Sequence, residues 1–474
     1  MKRWIVLLCC IVVCATGCVG NEPPAVSLEE SITTSRTVGA PTEESFVDET
    51  SATSTGSSTA SQTVAKPQTS ATKGSTAATS TVAKSTTTTT TARSTTTSRS
   101  TATLPPLAGN EAVDAILRGY TAEQLEVPEF DLAKYMQPIW QESLVYNESV
   151  LVVEEEDGSI APITLAYDAA HIVEVRDSAL NIVYQAGVDY RLENGKLVIL
   201  PGGTIPTMTY DQYYPAKEGG TMPRVGGGYL KFAEGGYFHH FQIAVTYVHL
   251  DTWKSAVPAY QGGQLPQTLS KLNNKEPLHI VFFGDSIFTG ANASGTVQGG
   301  SGQPYMPAWF DLLVDTLKVR FGYDGVTYAN PSVGGATSGW GAENAAGMVA
   351  PEDPDLVVIG FGMNDPALPT STYRQNIRRI MDAALAANPS CEFILTAPML
   401  PNREAAGFYG NQEVFLNELK KLSGTGVAVM DITTPHRYLL SRKNYGDMTG
   451  NNVNHPNDFL CRLYAQVAVA CLVR

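Results

Sequence analysis

From about residue 264 to the end of the chain, short apolar segments alternate with amphipathic stretches, and this alternation constrains the fold most strongly. Five segments have the length and composition of buried β-strands, namely 278–284, 326–330, 355–362, 391–398 and 426–431. The stretches between them carry apolar residues at helical spacing. Strands that alternate with helices form a parallel sheet with helices on both faces, so we expect an α/β fold. Its ligands should bind at the carboxyl ends of the strands.

Residues suited to acyl transfer follow three of these strands. Ser286 ends the turn Gly-Asp-Ser after the first strand, where its hydroxyl can act as a nucleophile. The second strand leads to Gly335 in NPSVGGAT and the third to Asn364 in GMND, and both can donate N–H groups to a developing oxyanion. His455, in the polar stretch NNVNHPND, precedes a last predicted helix with Asn457 as its N-cap. A serine hydroxyl and several N–H donors at one edge of a sheet are groups suited to acyl transfer.

The order of these motifs resembles that of the SGNH hydrolases, also called the GDSL esterase/lipase family. The resemblance covers about residues 278–474 and rests on FFGDSIFTG, NPSVGGAT, GMND and VNHPND. It implies a three-layer α/β/α sandwich of the flavodoxin-like SGNH type with five parallel strands. It also implies that Ser286 is the nucleophile, that Gly335 and Asn364 complete the oxyanion hole with the N–H of Ser286, and that His455 is the base. The resemblance implies neither a metal nor a cofactor.

One position departs from the family pattern. Asn452 stands where the family has an aspartate three residues before the histidine, and an amide can orient an imidazole but carries no charge to stabilise the imidazolium. Three explanations are open. A backbone carbonyl orients a Ser-His dyad, which is the interpretation we favour; Asp447 supplies the carboxylate; or the enzyme is impaired. Asp458 is predicted to be an acid of the first helical turn.

The segment 109–263 has a different pattern, with short runs rich in Val, Ile and Tyr that are separated by turn residues. The pair Asn194-Gly195 predicts a type I′ hairpin. We therefore expect a small β-sandwich accessory domain before the catalytic domain at 264–474. Four of its aromatic residues are candidates to stack on sugar rings, although packing is the favoured role: Tyr213, Tyr214, Tyr237 and Phe238.

The N-terminus indicates export. Residues 1–17 have the charged start, short apolar run and small residues of a signal peptide. The stretch resembles a bacterial lipoprotein signal, with Cys18 as the lipidated residue, but Ala15 stands where that motif usually has Leu, Val or Ile, so ordinary secretory cleavage is the alternative. Residues 18–108 are dominated by Ser, Thr and Ala and are predicted to be a disordered linker. The protein is expected to be exported. It is expected at the cell surface, held to the membrane by a lipid anchor, or otherwise as a secreted protein.

Net charge and cysteine content narrow the functional classes and the kinds of site that remain possible. A net charge of -14 argues against binding of nucleic acid, which needs clustered Lys and Arg. The cysteines beyond the predicted lipidation site, Cys391, Cys461 and Cys471, lie in apolar runs, and three buried thiols are favoured over one disulfide. The cysteine and histidine spacings do not indicate a metal site.

The functional hypothesis is an exported carbohydrate esterase that removes O-acetyl groups from polysaccharide. Trp340 and Tyr305 are the aromatic residues expected near the site. One alternative is a surface glycan-binding protein with an inactive hydrolase domain. Another is an O-acetyltransferase or a peptidoglycan O-acetyl esterase that uses the same residues.

Overall fold

The structure is a computed structural model that describes residues 110–127 and 130–474. The predicted signal peptide, the lipidation site Cys18 and the linker at 18–108 lie outside the described residues. Within the part of the chain that is described, no helix is long and apolar enough to cross a membrane.

The first part of the described chain consists of short helices and antiparallel strands. The helices are α1 (Glu111–Gly119), α2 (Ala122–Leu125), α3 (Leu132–Tyr135) and α4 (Tyr210–Tyr213). The strands are β1 (Leu144–Leu151), β2 (Ala169–Asp177), β3 (Val183–Tyr184), β4 (Tyr190–Glu193), β5 (Lys196–Ile199), β6 (Thr221–Pro223), β7 (Tyr229–Lys231) and β8 (Gln242–His249). A four-stranded antiparallel sheet has the order β1-β8-β2-β3, while β4-β5 and β6-β7 form separate two-stranded sheets. The hairpin predicted at Asn194-Gly195 is confirmed, since both residues have positive φ, 51° and 77°.

The second part contains the five predicted parallel strands. They are β9 (Leu278–Gly284), β10 (Val326–Ala329), β11 (Leu356–Gly360), β12 (Glu392–Ala397) and β13 (Val427–Asp431). Their helices are α5 (Pro266–Asn274), α6 (Trp309–Phe321), α7 (Ser338–Met348), α8 (Thr370–Ala387), α9 (Gln412–Lys420), α10 (Thr433–Leu440) and α11 (Asp458–Leu472). The strand order β10-β9-β11-β12-β13 places the next strand in sequence, β10, on one side of β9 and the following one, β11, on the other. A crevice therefore opens at the carboxyl end of β9, the usual position of a ligand site in such sheets.

The parallel sheet separates two apolar layers. Along β9, Ile280 and Phe282 point into the layer that contains α6 and α11, whereas Val281 and Phe283 point into the layer of α7, α8 and α9. This alternation follows from the two-residue period of a strand, and it gives the predicted three-layer α/β/α arrangement. As favoured from the sequence, the three cysteines in this region are buried and free.

The apolar layer on the α11 side continues into the antiparallel sheet. Val150 of β1 and Tyr247 of β8 belong to the same cluster of buried side chains as Leu460 of α11. Polar contacts reinforce this packing, because Gln466 Nε2 of α11 donates to the carbonyl oxygens of Tyr135 and Gln137 at 2.8 Å each. The domain boundary predicted between residues 263 and 264 stays a prediction, but the hydrophobic core does not end there.

Candidate active site

Ser286 lies in a tight turn at the carboxyl end of β9, where close backbone packing requires glycine. A Cβ on Gly284 would fall 2.3 Å from the carbonyl oxygen of Gly360, and a Cβ on Gly360 would fall 1.7 Å from the ring of Phe288. The turn is held by the N–H of Asp285, which donates to the oxygen of Gly360 at 3.1 Å. These contacts place Ser286, which is 7% exposed, at the floor of the crevice.

Hydrogen-bond donors surround this serine. Gly335 has a φ of 75°, which favours glycine, and the space where its Cβ would stand is empty. Asn364 Nδ2 donates to the carbonyl oxygen of Ala336 at 3.0 Å, and this bond orients the amide. Among the described residues, the backbone N–H groups of Ser286 and Gly335 have no protein acceptor. Two unpaired N–H groups and a fixed amide can therefore bind a negatively charged oxygen.

His455 contacts the serine directly. Its Nε2 lies 2.8 Å from Ser286 Oγ, while its Nδ1 lies 2.8 Å from Asn292 Oδ1 and 3.0 Å from Glu234 Oε2. Asn292 Nδ2 donates to the carbonyl oxygen of Gly235 at 3.1 Å, so Oδ1 is the atom that faces the imidazole. Because Nδ1 faces two acceptors, it carries the hydrogen. Nε2 is then the unprotonated nitrogen that can accept the proton of Ser286.

The loop that carries His455 is organised by the side chain of Asn451. Its Oδ1 accepts hydrogen bonds from the backbone N–H groups of Val453, Asn454 and His455 at 3.0, 3.0 and 3.1 Å. Its Nδ2 donates to Glu234 Oε1 at 3.1 Å. One buried amide thus positions both the histidine and the carboxylate beside it.

The residues proposed from the sequence to orient His455 make no hydrogen bond to its imidazole, which corrects that prediction. Asp447 accepts hydrogen bonds from the N–H groups of Leu151 and Asn444 at 2.8 and 3.1 Å, so it ties β1 to a turn. Asn452 adopts a left-handed φ of 68°, and its side chain makes hydrogen bonds with Tyr213 and with the carbonyl oxygen of Lys231 instead.

The favoured backbone carbonyl is also absent from the partners of Nδ1 in the described chain, which are side-chain oxygens. Asp458, by contrast, begins α11 as predicted, and the N-cap Asn457 accepts from the N–H of Leu460 at 3.2 Å.

Glu234 and Asn292 were missed by the sequence reasoning. Asn292 follows Ser286 within the same motif region, and a position so near the nucleophile is the only signal that could have drawn attention to it. Glu234 lies between β7 and β8 in the stretch FAEGG, which reads as an ordinary turn. Its separation of 221 residues from His455 leaves no local pattern that could identify it.

The four predicted catalytic residues line one open cleft of about 470 Å³. Other parts of its wall come from Met222, Phe232, Phe408 and Asn454. Neither Trp340 nor Tyr305, the aromatic residues expected near the site, belongs to this wall. Trp340 packs against Phe283 in the core. Tyr213 and Phe238 are likewise buried in packing, the role favoured for them from the sequence.

A search against protein families gives a result that agrees with this geometry. Residues 282–459 match the sequence model of the GDSL-like lipase/acylhydrolase family. This part of the chain is a GDSL-like lipase/acylhydrolase domain. The matched region contains Ser286, Gly335, Asn364 and His455. Glu234 lies outside this acylhydrolase domain. No curated protein matches the chain.

Solved structures similar to the chain include three esterases. A two-domain esterase (CEX) active on acetylated mannans is 20% identical, with 44% of this chain and 52% of that chain covered and a TM-score of 0.34. The acetyl xylan esterase AlAXEase is 20% identical, with 40% and 97% covered and a TM-score of 0.32. A family 3 carbohydrate esterase from Talaromyces cellulolyticus is 18% identical, with 40% and 94% covered and a TM-score of 0.32. The chain thus spans about half of the two-domain esterase, and these distant likenesses do not define its substrate.

Proposed function

We propose that this protein is a serine esterase that hydrolyses O-acyl esters, specifically O-acetyl groups carried by polysaccharide. The observation that carries the proposal is the 2.8 Å contact between His455 Nε2 and Ser286 Oγ beside unpaired N–H donors. A nucleophile, a base and an oxyanion site in one cleft are the groups that acyl transfer needs. The match of residues 282–459 to the acylhydrolase family supports the same reaction class.

The reaction begins when Ser286 Oγ bonds to the ester carbonyl carbon and its proton moves to His455 Nε2. The negative charge on the carbonyl oxygen is bound by the N–H groups of Ser286 and Gly335 and by the amide of Asn364. Collapse breaks the bond to the sugar oxygen, which takes the proton from Nε2 as it leaves. Water then attacks the acyl-enzyme with the same base, and the products are the carboxylic acid and free Ser286.

The wall of the cleft supports a small acyl group on a sugar. Ala291, Gly334 and Gly335 form part of the wall, and a Cβ on Gly334 would lie 3.9 Å from Ser286 Cβ, so small residues border the nucleophile. Phe232 and Phe408 of the same wall offer aromatic surface on which the C–H face of a sugar ring can pack. An acetyl group at the serine with its sugar against these rings fits this distribution.

Export to the cell surface is part of the proposal, and its support is the N-terminal sequence. The leader at 1–17 and Cys18 favour lipid anchoring, and the Ser/Thr-rich linker would separate the catalytic part from the membrane. An acetylated polysaccharide is a substrate that an enzyme meets outside the cytoplasm.

The test measures acetate released by the full chain from acetylated xylan, mannan and peptidoglycan. Ser286→Ala should lower turnover at least about 1,000-fold, because the nucleophile is removed while the fold is kept. Ser390→Ala, an exposed serine at the opposite end of the sheet, is the matched control and should keep full activity. Full activity of Ser286→Ala would refute the proposal, and transfer of acetyl to an acceptor sugar in preference to water would identify an acetyltransferase instead.

A further inference from the structure

We infer that Glu234 is the acid of a Ser-His-Glu triad, a positioning residue that reaches the acylhydrolase domain from the antiparallel part of the chain. The inference rests on the proposed function, because a positioning acid has meaning only if His455 is the base. It adds a residue outside the region 282–459 that matches the family. It also makes the segment between β7 and β8 part of the catalytic machinery.

Both carboxylate oxygens of Glu234 are engaged on the site. Oε2 accepts from His455 Nδ1 at 3.0 Å, and Oε1 accepts from Asn451 Nδ2 at 3.1 Å. Asn451 also binds the backbone of the histidine loop, so the carboxylate and the imidazole are held by one shared amide. An adventitious ion pair at the surface would lack this second attachment.

The charge of Glu234 is kept at neutral pH. Burial acts to raise its pKa, but hydrogen bonds from His455 and Asn451, together with the charge of His455, outweigh that effect and hold the pKa below its usual value. Its side chain is 48% exposed, so solvent weakens its effect on the imidazole compared with a fully buried acid. Glu234 can therefore stabilise the imidazolium that forms when Ser286 is deprotonated.

In a usual triad, a single aspartate sets the tautomer of the histidine and balances its positive charge. Here Asn292 has the first role and Glu234 has the second. Asn292 Oδ1, at 2.8 Å and buried, keeps the hydrogen on Nδ1 and so sets the tautomer. Its neutral amide cannot balance the positive charge that develops on the ring. Glu234 shares the same hydrogen and supplies that charge.

The residue at the family's usual acid position supports the segment that carries Glu234. Asn452 Nδ2 donates to the carbonyl oxygen of Lys231 in β7 at 3.2 Å, three residues before Glu234. Asn452 Oδ1 accepts from the hydroxyl of Tyr213 at 3.0 Å. The amide therefore attaches the histidine loop to the strand that leads to Glu234, and a carboxylate there would lose the donor to Lys231.

The decisive variant is Glu234→Gln in the full chain, with 4-nitrophenyl acetate as the probe. Because Asn292 still fixes the tautomer, we expect kcat to fall roughly 10- to 100-fold, less than the roughly 10⁴-fold loss seen when the tautomer is also wrong. KM for this small probe should change less than about twofold, because Glu234 acts on the reaction through His455 Nδ1. The acid limb of the pH profile of kcat/KM should move to lower pH, because a charge that favours the protonated imidazole is gone.

Matched variants separate this role from general effects on the fold. Glu218→Gln removes the same charge from an exposed position before β6 and should leave kcat and the pH profile unchanged. Glu234→Asp keeps the charge and should restore part of the lost kcat. Adding Asn292→Ala to Glu234→Gln should lower kcat beyond either single variant.

A proton NMR measurement gives a readout independent of turnover. In Ser286→Ala, the resonance of the proton on His455 Nδ1 should shift upfield when Glu234→Gln is added, because its charged acceptor is lost. If Glu234→Gln keeps wild-type kcat, pH profile and Nδ1–H resonance while Ser286→Ala is inactive, the triad inference fails and the proposed esterase stands. If Ser286→Ala is active, the proposed function itself fails.

Discussion

At the scale of single residues, Asp285 is a buried carboxyl group beneath the candidate nucleophile. It is 2% exposed, and its Oδ1 accepts from the N–H of Ile287 at 3.0 Å. Burial is the largest cause that raises the pKa of Asp285 to about 7. The nearby charge of Asp365 also raises this pKa, whereas the backbone hydrogen bonds lower it. The folded protein therefore holds a proton on Asp285 at pH values where the unfolded chain, with a pKa near 3.8, has lost it.

This difference predicts how stability depends on pH. Because the folded state binds more protons between about pH 4 and pH 7, the free energy of unfolding should fall as pH rises through this window and level off above it, as far as Asp285 contributes. Asp285→Asn should flatten the decline, as measured by urea unfolding across that range. Some slope will remain, since burial also raises the pKa of Asp447 to about 6.

The matched control for this prediction is Asp382→Asn on the exposed face of α8. It should leave the dependence on pH as in the wild type, because its side chain stays in solvent. An Asp285→Asn variant with the wild-type slope would contradict the prediction.

At the scale of secondary structure, β9 and β11 approach closely because both end in glycine. The ring of Phe288 occupies the space that a side chain on either strand end would need. The turn that presents Ser286 is therefore built by packing Phe288 over Gly284 and Gly360.

Substitution at these strand ends should be costly. Gly360→Ala should lower the free energy of unfolding by about 1–3 kcal/mol, because the added methyl overlaps Phe288 and forces the strand ends apart. It should also lower kcat, since Ser286 moves with the turn. Urea denaturation and an acetate-release assay measure the two effects.

Gly347 of α7 is the matched control for Gly360. It is exposed, and no heavy atom lies within 4 Å of its added Cβ. Gly347→Ala should therefore raise the free energy of unfolding by about 0.5–1 kcal/mol, because alanine favours a helix. Equal effects of the two substitutions would rule out steric overlap as the cause.

The hairpin of β6 and β7 forms a side wall of the cleft. The N–H of Val225 at its tip donates to the carbonyl oxygen of Glu404 at 2.9 Å, and Arg224 pairs with the same residue. These contacts join the hairpin to the loop before α9, which supplies Phe408. Two elements that are distant in sequence thus form the surface proposed to receive a sugar.

At the scale of the whole molecule, the antiparallel and parallel parts share a hydrophobic core and meet at the candidate site. The C-terminal helix α11 packs on both, and its buried Arg462 donates to the carbonyl oxygens of Tyr146 and Asn147. The described antiparallel part therefore shares its hydrophobic core with the acylhydrolase domain.

The N-terminus predicts how the whole molecule is held at the cell surface. If Cys18 is lipidated, the full chain produced in a bacterium should incorporate labelled fatty acid and sediment with membranes, because two or more acyl chains anchor a protein stably. Cys18→Ser should lose both properties. Cys14→Ser, within the predicted leader, is the control and should keep them. Membrane association and labelling of Cys18→Ser would contradict the assignment, and secretion of the unlabelled wild type would indicate ordinary cleavage.

Much of the fold and four residues of the site could be predicted because their signals are local. Each strand is a short apolar run, and each helix repeats apolar residues at helical spacing. Parallel strands bring their carboxyl ends to one edge, so Ser286, Gly335 and Asn364 had to lie near one another. His455 was placed with them by its motif before α11.

The acceptor of the His455 Nδ1–H could not be predicted, because it depends on contacts between segments far apart in the chain. The orientation of Asn452 follows from its φ of 68° and from partners on β7 and α4, which turn its amide away from the imidazole. Glu234 enters the site only because β7 packs beside the histidine loop. Periodicity and motifs determined the sheet, its helices and the serine-histidine pair, whereas tertiary packing decided which side chains face the second nitrogen of the imidazole.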